Sequence, residues 1–277
     1  MVEKTIKSAV LSTRNATHLF EEAFFFSDQT FVHPTAIIGE NVTLEDNVKI
    51  GPFCTVIGNV TIKSGTRLHP HATIGFPAQA KGVYKSLGTI VIGTNCEIRE
   101  FATIHASRFQ DGATTIGNNC YIMNYAHVGH DCTLEDNVKL VNHASLGGHT
   151  YLEHDAYIMA GSATHQFCRV GQFTALAPFS GIRQDVPPFC LLSGQPARFY
   201  GLNLVGLKRA GFSGTTISAL KHVTKLFYSD MLDANTIITR ADNEAWGQDE
   251  AVHTFLAFIQ ASTRGISRRL RSEDVQP

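Results

Sequence analysis

The sequence predicts a mainly β protein: a parallel β-helix built on a six-residue repeat, with a small α-helical domain behind it. Three observations carry this reading. An aliphatic residue returns at every sixth position, the place four residues further on is almost always small, and the period turns helical after Pro187 and Pro188. An amphipathic helix repeats at about 3.6 residues and a half-buried strand at about 2, so neither yields a hexad. A fixed hexad makes one short strand and one turn at a time, winding the chain into a prism in which each coil buries its aliphatic row against the next.

The row begins at Val32 and runs through Ile38, Leu44, Ile50, Val56, Ile62, Leu68 and Ile74. It resumes at Ile92, Ile98 and Ile104, and again from Ile116 to Ile182, where Thr164 is its single polar member. The phase survives both interruptions. Ala80, Ser86 and Gln110 stand at the expected aliphatic places inside them, so 76–89 and 106–114 are expected as loops thrown out of the prism. The small place holds Ala, Val, Cys, Thr or Ser throughout, with Arg108 the exception. Cys54, Cys96, Cys120, Cys132 and Cys168 all fall there and read as reduced packing residues rather than bridges or metal ligands. Three hexads to a coil divide 31–186 into about eight coils at the ~4.8 Å spacing of paired strands.

The flanks follow from where the hexad stops. Residues 1–30 form an N-terminal extension in which 21–26 reads as a short docked segment with no assigned role. Residues 187–277 form the helical domain. Ala219, Leu220, Val223, Leu226 and Phe227 make an amphipathic stripe ending near Ser229, residues 251–259 make a second, and the charged end, 267–277, is expected to fray. With 43% hydrophobic and 17% charged residues and a net charge of −1, the chain reads as a soluble globular protein and not as a general polyanion binder, so nucleic acid is not an expected partner. Apolar runs fall short of the roughly 18 residues a membrane span needs, and the first residues lack the basic-then-apolar order of a secretion signal. The expected location is the cytoplasm.

Stacking turns the repeat into chemistry, because residues one coil apart share an edge. His130 stands one coil before Gly148 and His149, and two coils before His165 and Gln166. Together with His127 these gather on one region of the surface. Three readings are open: solvated turn histidines, in a chain with 13 of them; a general base, since imidazole titrates near neutrality; or a zinc site closed by three imidazoles.

The motifs around these positions resemble a known family. Asn124-Tyr125-Ala126-His127-Val128-Gly129-His130-Asp131-Cys132, Leu146-Gly147-Gly148-His149 and Thr164-His165-Gln166-Phe167-Cys168 look like the core of the bacterial UDP-N-acetylglucosamine 3-O-acyltransferases, which open lipid A biosynthesis. Phe31-Val32-His33-Pro34, Ile50-Gly51-Pro52-Phe53-Cys54, Ile98-Arg99-Glu100, Thr103-Ile104-His105, Gln184-Asp185-Val186-Pro187-Pro188, Gly206-Leu207-Lys208-Arg209 and Ser262-Thr263-Arg264-Gly265 extend the likeness over about 31–268. The resemblance implies a left-handed β-helix and a homotrimer with active sites between subunits. It implies transfer of a 3-hydroxyacyl chain from acyl carrier protein, whose 4'-phosphopantetheine delivers the thioester, with no resident cofactor and no metal. Carried over by position, His130 is the base, Asp131 its orienting carboxylate and the Gly148 N–H the oxyanion donor. His127, His149, His165, Gln166 and Gln79 line the sugar and pantetheine sites, Asn203 and Arg209 hold the nucleotide, and Pro178 with Phe179 occupies the acyl-length stop, where a ring in place of glycine implies a short chain.

The chain also departs from the family pattern. Gln79-Ala80-Lys81-Gly82-Val83 lacks the Asp and Lys of the usual sugar-contacting loop, Val205 and Ala210 replace an acidic and a basic nucleotide contact, and Pro196 replaces a histidine. A paralogue acting on a different nucleotide amino sugar is therefore the nearest alternative. A γ-carbonic anhydrase-like zinc enzyme using His127, His130 and His149, and a non-catalytic scaffold trimer, are the alternatives from other classes. The later N-acyltransferase of the same pathway shares the prism but carries a uridine-binding domain of about 100 residues before it, larger than the extension present here.

Overall fold

A computed structural model describes residues 21–82, Lys85 and residues 88–267. The prism expected from the hexad is present as three sheets of ten, eight and seven strands. Each strand of the repeat pairs in parallel with the strand one coil away. In the first sheet Lys139 opposes Tyr157, in the second His127 opposes Ser145, and in the third Thr133 opposes Tyr151. Every strand is short because the coil must turn at each corner, and the aliphatic row points inward. Leu140, Leu146, Leu152 and Ile158 are all fully buried. Val32 is 38% exposed, because no described coil lies beneath the first to cover its row.

The small place lies at the corners, where a longer side chain would meet the neighbouring coil. Cys54, Cys96, Cys120, Cys132 and Cys168 are buried there as free thiols, as is Cys190 outside the repeat. Each corner also holds residues at positive φ, a conformation that favours Asn and Asp among non-glycine residues. Between the third and first sheets these are Asn47, Asn95, Asn119, Asn137 and Asp155, with Gly65 and Phe173 at the same corner. Between the first and second sheets they are aromatic: Phe53, His71, Phe101, Tyr125 and His143 stack face to face at 4.7 to 5.0 Å. Ring stacking there stands in for the side-chain hydrogen bonds that Asn would make.

Both interruptions leave at the remaining corner. Thr73–Phe76 is followed by a loop and then Thr89–Ile92, and Thr103–His105 by a loop and then Ala113–Ile116, each time between the second and third sheets. The loops are slightly tighter than expected, because the flanking strands extend by one or two residues. Arg108 lies in the second loop, which is why it breaks the small-residue rule.

Pro187 and Pro188 do not end the stack. Cys190–Gly194 still pairs in parallel with Ala175–Leu176 before turning back in an antiparallel hairpin with Ala197–Leu202, so the region expected to be wholly helical begins with two strands. The helices Leu204–Arg209, Gly214–Tyr228, Ala234–Ala241 and Glu250–Ala261 follow, their N-termini capped by the side chains of Asn203, Ser213, Asp233 and Asp249. The two long ones carry the expected stripes. The chain then returns to the prism. Ser262 Oγ donates to Asp185 Oδ2 at 2.7 Å, Ile266 bridges to Asp185, and Ser267 is buried with its hydroxyl on Ala197 O at 2.6 Å, so Ser267 is anchored rather than frayed. Residues 268–277, like 1–20, lie outside the described residues. Of the segment 21–26, Phe24 is fully buried with its ring edge-on to His69 at 5.3 Å.

Leu140→Ala should destabilise the fold by about 2–5 kcal/mol through a cavity in the aliphatic row, while Lys139→Ala, on the outer face of the same strand, should stay within about 0.5 kcal/mol. Urea midpoints of the two variants check this.

Candidate active site

Three successive coils build the site at the corner where both loops leave. His127–Val128, Ser145–Leu146 and Ala163–Thr164 are neighbouring strands of the second sheet, so His130, Gly148 and Gln166 follow one another down the corner. They line one groove with His127, His165, Gln79 and His105. Of the site residues expected from the sequence, the structure brings eight of the substrate and catalytic set to this corner, His149 and Asp131 included.

The His130 ring is fixed from both sides. Its Nδ1 lies 2.6 Å from Asp131 Oδ2, and an ionised carboxylate can only accept, so Nδ1 carries the proton and Nε2 is left as the basic atom. Nε2 points over Gly148, where an added Cβ would come within 2.6 Å of it. Only glycine leaves that room. The Gly148 N–H has no acceptor among the described residues, and the imidazole lies against this glycine. Asp131 sits at φ 62° with its carboxyl only 8% exposed. Burial alone would raise its pKa, but hydrogen bonds from Ser107, His130 and the Arg108 N–H outweigh that and hold it below the ordinary carboxylate value.

The neighbouring imidazoles are kept neutral. Burial, aided by His105 and His130, pushes His127 from 6.5 down to about 4. Its Nδ1 shares a hydrogen bond of 2.8 Å with Thr103 Oγ1. His105 is also lowered by burial and donates to Pro77 O at 2.6 Å. His149 is lowered by burial against the pull of Asp131, and its ring stacks on Phe167 at 4.4 Å. The side-chain atoms that gather within 4.8 Å of one another belong to His130, Asp131 and His149, not to His127, His130 and His149, so the three-imidazole zinc reading is corrected. His127 is committed elsewhere, to Thr103 and His105.

Other expected residues lie apart from the groove. Asn203 caps the helix Leu204–Arg209, accepting from Gly206 N at 3.1 Å and donating to Phe173 O at 2.8 Å, and Arg209 is exposed in its last turn. Pro178 and Phe179 occupy the corner between the first and second sheets, one corner away from His130. There Phe179 is 70% exposed, its ring covering Gly161, where an added Cβ would lie 2.6 Å from it. Besides His105, which lines the groove, two residues beyond the expected set reach the site. Arg264 Nη2 donates to His165 Nδ1 at 2.8 Å, and Ser107 Oγ donates to Asp131 Oδ1. The Ser262-Thr263-Arg264-Gly265 run was the only signal for the first, and nothing in the repeat signals the second.

Because His127 takes a proton at 6.5 when unfolded and only near 4 when folded, the unfolded chain binds more protons across that window and stability must fall as pH drops through it. His105 and His149 act in the same direction. A melting series from pH 7 to 4 should show this decline, with a shallower slope in His127→Asn; an unchanged slope in the variant contradicts the burial of a neutral imidazole.

Comparison with known proteins agrees with this architecture. Residues 185–267 match the family described as UDP-N-acetylglucosamine O-acyltransferase, domain 2, and 41–75 with 113–148 match the bacterial transferase hexapeptide repeat. A protein of Thermodesulfovibrio yellowstonii named acyl-(acyl-carrier-protein)–UDP-N-acetylglucosamine O-acyltransferase is 42% identical, over 86% of this chain and 99% of its own. One of the same name from Paraburkholderia xenovorans is 38% identical with the same coverage. Among solved structures, the Francisella novicida UDP-N-acetylglucosamine acyltransferase superposes with a TM-score of 0.78 at 32% identity, covering 88% of this chain and 96% of that one. The Moraxella catarrhalis UDP-N-acetylglucosamine O-acyltransferase gives 0.77 at 30% identity, covering 86% and 99%. The prism is thus a left-handed parallel β-helix with a small helical domain behind it, and the chain belongs to the UDP-N-acetylglucosamine O-acyltransferase family.

Proposed function

We propose that this chain transfers an acyl group from the phosphopantetheine thioester of acyl carrier protein to the 3-hydroxyl of UDP-N-acetylglucosamine, the first step of lipid A biosynthesis. One observation carries the reading: an imidazole oriented by a buried carboxylate lies against a glycine whose N–H has no acceptor among the described residues. That is the arrangement an acyl transfer needs.

His130 Nε2 takes the proton of the sugar hydroxyl as its oxygen bonds to the thioester carbon. The carbonyl oxygen becomes an oxyanion and is received by the Gly148 N–H. Asp131 stabilises the imidazolium so formed without taking its proton. Collapse of the tetrahedral species breaks the C–S bond, the leaving sulfur regains the proton from His130, and the ester and free carrier thiol depart. His127 and His149, kept neutral beside the base, serve as hydrogen-bonding partners for sugar and pantetheine rather than as charges that would lower its basicity. His165, held by Arg264, and Gln166 and Gln79 complete the substrate groove. Asn203 and Arg209 reach the nucleotide from the helical domain. Their distance from the groove within one chain supports a homotrimer in which sites form between subunits. The reaction requires no metal or resident cofactor and is placed in the cytoplasm.

The missing Asp and Lys in the 77–88 loop favour a second acceptor, a different UDP-amino sugar. Pro178 and Phe179 are assigned to the acyl stop, since rings fill volume that glycine leaves open and packed interiors resist extra methylenes by about 1–3 kcal/mol.

Purified protein given acyl-carrier thioesters and a panel of UDP-amino sugars, with products read by mass spectrometry, should yield an ester of UDP-N-acetylglucosamine; acylation of another sugar alone would move the assignment to the second reading. His130→Ala should lose roughly two to four decades of turnover while melting normally. In competition, 3-hydroxyacyl chains of about ten carbons or fewer should outrun fourteen, each unburied methylene forgoing ~0.8 kcal/mol, and Pro178→Gly should shift the optimum upward.

A further inference from the structure

We propose that Ser107 is a positioning residue for the His130–Asp131 pair: its hydroxyl donates to Asp131 Oδ1 and so holds the other carboxylate oxygen on His130 Nδ1. This rests on the reading of His130 as the base.

The second loop departs from the hexad at this point and folds back onto Asp131. Ser107 is 1% exposed. Its oxygen accepts from Phe109 N at 3.0 Å, which leaves the O–H as the group to be directed. Two acceptors compete for that hydrogen, Phe109 O at 3.2 Å and the closer, charged Asp131 carboxylate. The charge-assisted bond is the stronger. The Arg108 N–H adds a longer contact to Oδ2 at 3.4 Å, and the Asp131 N–H is tied to Thr114 Oγ1 at 2.8 Å. With both ends bound, the carboxylate has one orientation.

The space around this contact is reserved by glycine. A Cβ on Gly112 would stand 2.1 Å from Ser107 Oγ and 3.1 Å from Asp131 Oδ1, and one on Gly88 would stand 2.6 Å from Ser107 Cβ. No side chain fits at either position without displacing the hydroxyl. The titratable and charged groups that face Asp131 are His130, His149 at 3.7 Å and Arg108 on the loop, with Cys132 next in the chain. Ser107 is the neutral donor among them, so it favours the ionised carboxylate without adding a charge that would repel the imidazolium. Removing it makes the pair hold its proton more tightly, and the shift belongs to the pair rather than to either residue.

A role confined to bracing the loop through Phe109 predicts something different, and a double-mutant cycle separates the two. Ser107→Ala, Asp131→Asn and the double variant are assayed in the full chain for kcat and KM across pH, with His130→Ala in parallel. Ser107→Ala should lower kcat roughly ten- to fiftyfold with KM within about twofold, and should move the acid limb of the kcat/KM profile to higher pH. Added to Asp131→Asn it should cost less than about twofold more, because its effect passes through Asp131. Gly112→Ala, which keeps the serine but drives it off the carboxylate, should reproduce the same shift of the limb. Multiplicative losses in the double variant, or an unmoved profile in Ser107→Ala, overturn the role of Ser107 while leaving the base in place if His130→Ala is inactive. Near-normal turnover in His130→Ala overturns the base and the role of Ser107 together.

Discussion

The structure depends on the parallel backbone register between coils. In each sheet a strand bonds to the one a full coil later, so that the His149 N–H donates to His130 O at 2.9 Å and the Phe167 N–H to Gly148 O at 3.0 Å. These bonds have little freedom. A slip of one residue would turn the buried row outward along a whole strand, so burial of the row locks the register and the register locks the corners. The site inherits its precision from this. His130 stands over Gly148 because their coils are adjacent, and the backbone that fixes them also forms the core.

A repeat this regular presents the same short turn at every corner, which is a poor place to bind a substrate. The two interruptions change that. Both loops leave at the corner of His130, and each brings a residue that the prism could not supply: Gln79 to the groove from the first, Ser107 to Asp131 from the second. Their departure costs the core nothing, because the phase resumes after each and the third-sheet strands Thr89–Ile92 and Ala113–Ile116 still pair along their length. The other two corners keep the plain solution, one with Asn and Asp at positive φ and one with stacked rings.

The hexad made the prism, its loops and the site corner legible, because every sixth position meets the same buried environment and tolerates the same residue type. Adding one coil to His130 was enough to find Gly148 and His149. The hairpin from Cys190 to Leu202 was not legible, since Pro187 and Pro188 look like a stop, whereas they only bend the chain before one more parallel strand. Arg264 reaches His165 across 99 residues, a contact set by how the final segment docks on Asp185 and by no period in the sequence. Ser107 lies inside an irregular loop where periodicity is silent. For Pro178 and Phe179, position along the chain told which coil they occupy but not which corner, nor what faces it.

The register sets the His130 imidazole against the Gly148 backbone. Kinetics of Gly148→Ala, with melting measured alongside, test it most directly. The added methyl would overlap the ring, at 2.6 Å from Nε2, and a displacement of about 1 Å at a reacting group can cost on the order of a hundredfold in rate. At least that loss in kcat is expected, with the fold intact. A Gly148→Ala protein that melts normally and turns over at the parent rate would contradict it.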